Sequence, residues 1–288
     1  MPENDLLQPR RTIELDPHEV TPPERAPFVE LGLASCFSFL RGASDAVDLV
    51  LTARALGYDA IGIADVNSMA GVVRIHSEAE TLRLRPVIGC RIETVEGLAF
   101  LAYPTDRAAY GRLCRLISAG RMGTLDGGWQ DKGVCQISLA MLAEWSEGVQ
   151  LILIPPRDLD REFTIAVPGN VIPFPKFDSH EDTKTRREIE AGSADIFVSS
   201  CEGKFAFGDA LPRLTARLPT LRHLAATYLH TGDDIARIDR LDVLARAHGL
   251  ALLATNDVLY HAPERRPLQD VMTAIRLKTT VEIGRAHV

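Results

Sequence analysis

The chain has 288 residues, 46% of them hydrophobic, enough to bury one α/β barrel-sized core or two small ones. A net charge of −7 argues against a surface that holds nucleic acid unaided, because non-specific affinity comes mainly from Lys and Arg neutralising phosphates. Its five cysteines (Cys36, Cys90, Cys114, Cys135, Cys201) are odd in number, scattered and without CxxC spacing, so they indicate neither a disulfide frame nor a zinc ribbon. No apolar run reaches about 18 residues and no charged-then-apolar leader opens the sequence, which predicts a soluble, cytoplasmic protein without a membrane span.

Residues 1–27 are rich in proline and charge and lack an apolar period, so they read as a disordered leader, with the fold starting at Phe28. A helix is predicted after Ser44, with the Ser44 hydroxyl as its cap, Asp45 and Asp48 in the first turn, Val47, Val50 and Leu51 facing the core, and Gly57 at its end. Short apolar strands are predicted at 60–64, 87–92, 98–103, 149–154 and 250–255, with helical patterns between most of them. Repeated βα units predict a parallel sheet wrapped by helices and closed as a barrel. Gly62, between Ile61 and Ile63, marks close packing and not a phosphate cradle. Residues 156–207 break the pattern with turn residues and mixed charge, and read as a solvated insertion or surface loop.

Phe28 to Ser44 (FVELGLASCFSFLRGAS), Ile61 to Gly71 (IGIADVNSMAG), Pro86 to Glu93 (PVIGCRIE) and Ala254 to Val271 (ATNDVLYHAPERRPLQDV) together resemble, in order and spacing, the polymerase-and-histidinol-phosphatase (PHP) domain at the N-terminus of bacterial C-family DNA polymerases. SFLRGAS, YPTDRAAYGRLCRLIS and YHAPERRPLQDVMTAIRLKTT are most similar to the error-prone alpha-type subunits of that family. The resemblance covers about Phe28 to Pro155 and Tyr228 to Val281. It implies an α/β fold, a PHP-type distorted (β/α)7 TIM-like barrel over 28–281 with a variable insertion at about 156–207.

The resemblance also implies a metal centre, and most of its ligands are missing. The family's His-x-His falls on Gly32 and Ala34; Thr-Asp-His reads Ala64, Asp65, Val66; the glutamate after Gly-Cys is replaced by Arg91; Asn-Asp-Val-His ends in Leu259. Asp65 and Asp257 survive as vestigial positions. A catalytic zinc needs about three protein ligands and an open position for water, and a fixed guanidinium charge opposes any cation, so no metal, cofactor or catalytic residue is expected in this segment. Asp65 and Asp257 are read as turn-shaping hydrogen-bond acceptors ahead of metal ligands.

Cys36 is read as a small buried side chain, His76 as a surface partner of Glu80, His261 as loop chemistry, and Arg112, Arg115 and Arg121 as a solvated or interdomain face. No Walker loop, Rossmann glycine fingerprint or G-x-S-x-G elbow is present.

The expected role is a degenerate, metal-free scaffold domain of an error-prone polymerase active in DNA repair and translesion synthesis. The alternative is a stand-alone metal-dependent phosphoesterase. The implied parent uses magnesium. Its implied partners are the polymerase domain of the same chain, DNA through the parent only, and a sliding clamp and companion translesion proteins. The tail Glu282 to Val288 (EIGRAHV) departs from the helix expected there and resembles a translated sequencing adapter, so truncation is expected, with the apolar face of a helix at 268–278 left bare.

Overall fold

The computed structural model describes residues 28–166 and 202–281. The leader, most of the predicted insertion and the tail lie outside the described residues.

Helix α1 (Ala46–Ala55) is capped by Asp45, whose carboxylate accepts the Val47 amide at 3.1 Å. The predicted cap, Ser44, is instead buried, and its Oγ accepts the His261 amide at 3.0 Å. Strand β1 (Ala60–Val66) follows, and α2 (Val72–Thr81) crosses over to β2 (Arg85–Glu93), parallel to β1 from the Ala60–Arg85 pair to the Val66–Arg91 pair. Strand β1 is buried on both faces, which suits a strand with helices outside and a barrel interior within.

Strand β3 (Ala99–Pro104) departs from the all-parallel expectation. It follows β2 after a short reversal and runs antiparallel both to β2 and to β4 (Val149–Ile154). The physical reason is the short link: five residues separate β2 from β3, too few for a crossover, so the chain can only return beside itself. Helices α3 (Arg107–Met122) and α4 (Leu139–Trp145) lead from β3 to β4.

Two strands that the sequence pattern missed come next. Strands β5 (Glu162–Ala166) and β6 (Glu202–Ala206) form a separate antiparallel pair, and Phe163 and Ile165 are buried in the main outer core with Phe207. The two ends of the predicted solvated insertion therefore fold as a packed ribbon, because Phe163 and Ile165 alternate onto its buried side. Helix α5 (Phe207–Arg217), β7 (Leu221–Ala226), α6 (Asp234–Ala247), β8 (Ala251–Ala254), a 3-10 turn at Pro263–Arg265 and α7 (Arg266–Leu277) complete the order. Strands β4, β7 and β8 are mutually parallel neighbours, and the six-stranded sheet runs β1-β2-β3-β4-β7-β8.

The segment Glu30 to Ala34 joins the sheet's two edges. On one side the Gly62 amide donates to the Glu30 carbonyl at 2.7 Å and the Ala64 amide to the Leu33 carbonyl at 2.8 Å; on the other, the Ala34 amide donates to the Val258 carbonyl at 2.9 Å, past the end of β8. The buried Glu30 carboxylate reinforces this closure by accepting the amides of Gly32 and Asn256 and the Thr255 hydroxyl. Gly62 fits its predicted close packing, since a Cβ there would sit 2.9 Å from Leu31 Cα and 2.8 Å from Tyr103 Oη.

Alternation sorts the core. Leu101, Tyr103 and Ile152 gather inside with Ala64 and Ala225, whereas Phe100, Ala102, Leu151 and Leu153 face α3 to α6 outside. A second outer cluster packs α1 and α2 on Ile61 and Ile63. Among the described residues no helix is long and apolar enough to cross a membrane.

Candidate functional site: an arginine-filled barrel mouth

The strand ends bring the predicted positions to one mouth. Asp65 and Val66 close β1, Arg91 lies opposite Val66 on β2, Gly32 and Ala34 lie on the joining segment, and Asp257 and Leu259 follow β8. The Ala43 amide donates to the Leu259 carbonyl at 2.7 Å, so Leu259 serves the site through its backbone.

Asp65 is 1% exposed. Its carboxylate accepts the Ser35 amide at 2.8 Å, the Ser38 hydroxyl at 2.6 Å and the Ser35 hydroxyl, whose Oγ lies 2.8 Å from Oδ2 and 3.0 Å from Oδ1 and has one proton to share between them. Ser38 Oγ in turn accepts the Val66 amide at 3.0 Å. Asp65 thus pins the loop that precedes it in the chain. The thiol of buried Cys90 donates to the Asp65 carbonyl at 3.1 Å, and burial pushes that thiol far above the ordinary range.

Across the mouth sits an alternating square of charges. Arg91 donates from Nη1 to Asp257 Oδ1 and from Nε to Glu93 Oε1, both at 3.0 Å; Arg41 donates from Nη1 to Glu93 Oε1 at 3.2 Å and from Nη2 to Asp257 Oδ2 at 3.4 Å. The guanidinium groups are the buried members, at 11% and 17% side-chain exposure, and the carboxylates the outer ones, at 37% and 41%. Burial, and then the charge of Arg91, lower the pKa of Arg41, whose Nε has no hydrogen-bond partner among the described residues. Two positive and two negative groups leave the square neutral.

Asn67, the residue after β1, braces the square. Its side chain accepts the Glu93 amide at 3.0 Å and donates to the Glu93 carbonyl at 3.3 Å, and its own carbonyl accepts Arg121 Nη2 at 2.8 Å and Nε at 3.2 Å. Asn67 and Asp257 hold left-handed backbone with φ of 45° and 48°, a conformation that costs a non-glycine residue roughly 1–3 kcal/mol and persists where neighbours over-determine it.

Other predicted residues scatter. Arg121 ties α3 to the mouth and Arg112 donates to the Glu147 carbonyl at 2.8 Å, while Arg115 faces solvent. Cys36 is exposed, against the expectation of burial, because the chain turns outward along the rim after Ser35. Desolvation and the nearby Asp45 charge raise its thiol pKa and outweigh Arg74. His76 lies 3.6 Å from Glu80 on an exposed helix face, and His261 Nδ1 is 2.8 Å from Ser44 Oγ.

Glu30, Ser35, Ser38, Arg41, Asn67, Glu93 and Thr255 belong to the mouth and were not singled out from the sequence. Their signal was polarity inside otherwise apolar blocks, as in FVELGL and SFLRG.

Beside the square a cleft of about 480 Å³ is lined by Arg91, Glu93 and Asp257 and by Arg157, Arg161 and Arg237. Among the described residues no three His, Cys, Asp or Glu side chains converge where a metal ion could sit. The positions that would supply ligands carry Gly, Ala, Val and Leu, and both carboxylates of the square already accept guanidinium donors. The residues present do not fit a catalytic zinc or a magnesium cage.

A mixed α/β fold whose curled six-stranded sheet gathers its strand ends at one polar mouth defines the class. Residues 30–170 match the family model described as the PHP domain. The error-prone DNA polymerase of Bradyrhizobium diazoefficiens is 39% identical over 264 residues, covering 90% of this chain and 19% of that relative. That of Caulobacter vibrioides is 37% identical over 250 residues (86% and 18%), and that of Rhodopseudomonas palustris strain HaA2 is 40% identical over 273 residues (88% and 22%). The chain spans about a fifth of the length of these curated relatives. A solved amidohydrolase from Chromobacterium violaceum superposes with a TM-score of 0.49 at 12% identity, covering 81% of this chain and 87% of its own.

Proposed function

We propose that this chain is the metal-free PHP domain of an error-prone DNA polymerase and that it acts as a scaffold, with hydrolytic chemistry lost. The observation that carries the reading is the charge square: Arg91 stands at a family ligand position, and with Arg41 it neutralises Asp257 and Glu93. A guanidinium stays protonated and offers no coordination position, so it cannot lower the pKa of a water as a metal does. It does supply the positive charge that the carboxylates require for a stable mouth.

Synthesis on damaged DNA, the magnesium it uses, DNA contact, and a clamp or companion proteins belong in this reading to the parent polymerase in the cytoplasm. The similarity to polymerases named as error-prone supports that attribution.

The test is elemental analysis of the purified chain after dialysis, with assays for phosphomonoesterase, pyrophosphatase and 3′ exonuclease activity in manganese, zinc and magnesium. The reading expects less than 0.1 equivalent of metal and no turnover. One equivalent of bound metal, or turnover abolished by Asp65→Ala and Asp257→Ala, would establish the phosphoesterase alternative instead.

A further inference from the structure

The cleft beside the charge square is basic in an acidic chain. Four arginines, Arg91, Arg157, Arg161 and Arg237, line it against two carboxylates, Glu93 and Asp257, so its walls carry a surplus of two positive charges where the whole chain carries −7. Because Arg41 completes the neutral square, the surplus falls on Arg157, Arg161 and Arg237.

Separate elements place these side chains. Arg237 reaches from α6 across the link after β4, donating from Nη2 to the Pro156 carbonyl at 2.9 Å and from Nε to the Arg157 carbonyl at 3.3 Å. Arg161 stands just before β5 with its guanidinium 5.2 Å over the ring of buried Phe163, and a Cβ at Gly97 in the β2–β3 turn would lie 3.1 Å from its Nη2. Among the described residues neither guanidinium has a carboxylate as ion-pair partner: Asp160 is taken by Arg240, and Asp234 by the amides of its own turn. Burial lowers the Arg237 pKa, and the nearby charges of Asp233 and Asp234 do not offset it. Thr94 lines the same cleft at 7% exposure, and its hydroxyl has no hydrogen-bond partner among the described residues. A half-buried cation without a counter-charge and a buried hydroxyl without a partner both carry a desolvation cost that a bound oxyanion offsets.

We propose that this cleft is a metal-independent site for a phosphate dianion, free or as the head of a small phosphomonoester, held by the guanidinium forks of Arg161 and Arg237 with Arg157 and Thr94 beside them. Guanidinium groups arriving from separate elements suit the several oxygens of a tetrahedral dianion, and a cleft of about 480 Å³ admits a small molecule and not a duplex. The mouth has thereby inverted its polarity, taking an anion directly where the family pattern places cations. This goes beyond the scaffold reading and does not depend on it, since a scaffold without an anion site is still a scaffold.

Isothermal titration of the 288-residue chain with inorganic phosphate in EDTA, at an ionic strength fixed with chloride, should show one saturable site. Arg161→Gln and Arg237→Gln should each weaken binding at least five-fold. Arg161→Gln removes only an exposed guanidinium, so it reads out even where Arg237→Gln fails to fold. Arg246→Gln, whose arginine pairs with Asp242 on α6 and does not line the cleft, should leave affinity unchanged. Glycerol 3-phosphate bound at least three-fold more tightly than inorganic phosphate identifies the head of an organic monoester, and equal or weaker binding identifies free phosphate; either supports the site. The proposal is overturned by a titration without saturation, by affinity untouched in Arg161→Gln, by succinate binding as tightly as phosphate, or by an equal loss in Arg246→Gln. Elemental analysis reports on the scaffold reading separately, since EDTA keeps metal out of the titration.

Discussion

Arg91 Nη1 lies 3.0 Å from Asp257 Oδ1, joining the end of β2 to the segment after β8 across the barrel mouth. This pair and the Glu30 carboxylate clasp the barrel at different points: Glu30 joins the first stave to the last, and Arg91 spans the opening above them. The mouth therefore keeps its strand ends together by ionic bonding.

Arg91→Met should destabilise the chain by about 1–2 kcal/mol, less than the 3–5 kcal/mol typical of a broken buried pair, because Asp257 and Glu93 are partly solvated and Arg41 remains. Arg91→Glu should cost more, since it adds a third carboxylate to the cluster, and millimolar manganese should recover part of the loss. Urea midpoints with EDTA and with manganese measure both. An Arg91→Met midpoint equal to that of the parent would show that the square contributes no stability.

Rebuilding the metal ligands should meet its tightest obstacle at Thr255 Oγ1. A Cβ at position 32 would lie 2.4 Å from Thr255 Oγ1 and 3.3 Å from Asp257 Cα, so Gly32→His needs Thr255 to move. The set Gly32→His, Ala34→His, Val66→His, Arg91→Glu and Leu259→His should bind zinc weakly, and adding Thr255→Ala should tighten binding at least ten-fold in competition with a chromogenic chelator. Equal affinity with and without Thr255→Ala would remove the steric explanation.

The apolar blocks made the strands legible: 149–154 is β4 as predicted, and 60–64 lies within β1. The reversal at β3 was not legible, because apolar alternation is the same in parallel and antiparallel strands and only the short link after β2 distinguishes them. Strand β7 was hidden by Arg222 and His223, which break the apolar run of a strand. At the site, the positions gathered at the mouth could be named from motif order, but what fills the mouth could not. Arg41 and Glu93 are far apart in sequence and carry no shared spacing; only the folded, curled sheet sets them 3.2 Å apart.

The start of α1 separates two hydroxyl and carboxylate roles that adjacent residues could have exchanged. Asp45→Ala should cost about 1 kcal/mol through loss of the cap. Ser44→Ala should cost about 1–2 kcal/mol for a different reason, leaving the His261 amide without its acceptor. Hydrogen exchange tells them apart: Asp45→Ala should speed exchange in the first turn of α1, and Ser44→Ala should speed it at His261. Faster exchange at the Val47 amide in Ser44→Ala alone would return the capping role to Ser44.

Acid sensitivity should trace in part to Asp234 at the head of α6. Burial acts to raise its pKa, but amides of the preceding turn outweigh that and lower it; Leu229, Thr231 and Gly232 donate at 2.5, 2.9 and 3.3 Å. A carboxylate depressed in the folded state stabilises fully above its unfolded pKa, near 3.9, and that stabilisation fades as pH falls through the lower folded value. Asp234→Asn should therefore be less stable than the parent at pH 7, and the gap should narrow as pH drops below about 4. Urea midpoints from pH 7 down to pH 2.5 follow it. A gap that stays constant across that range would mean Asp234 acts through shape and hydrogen bonding alone, with no contribution from its charge.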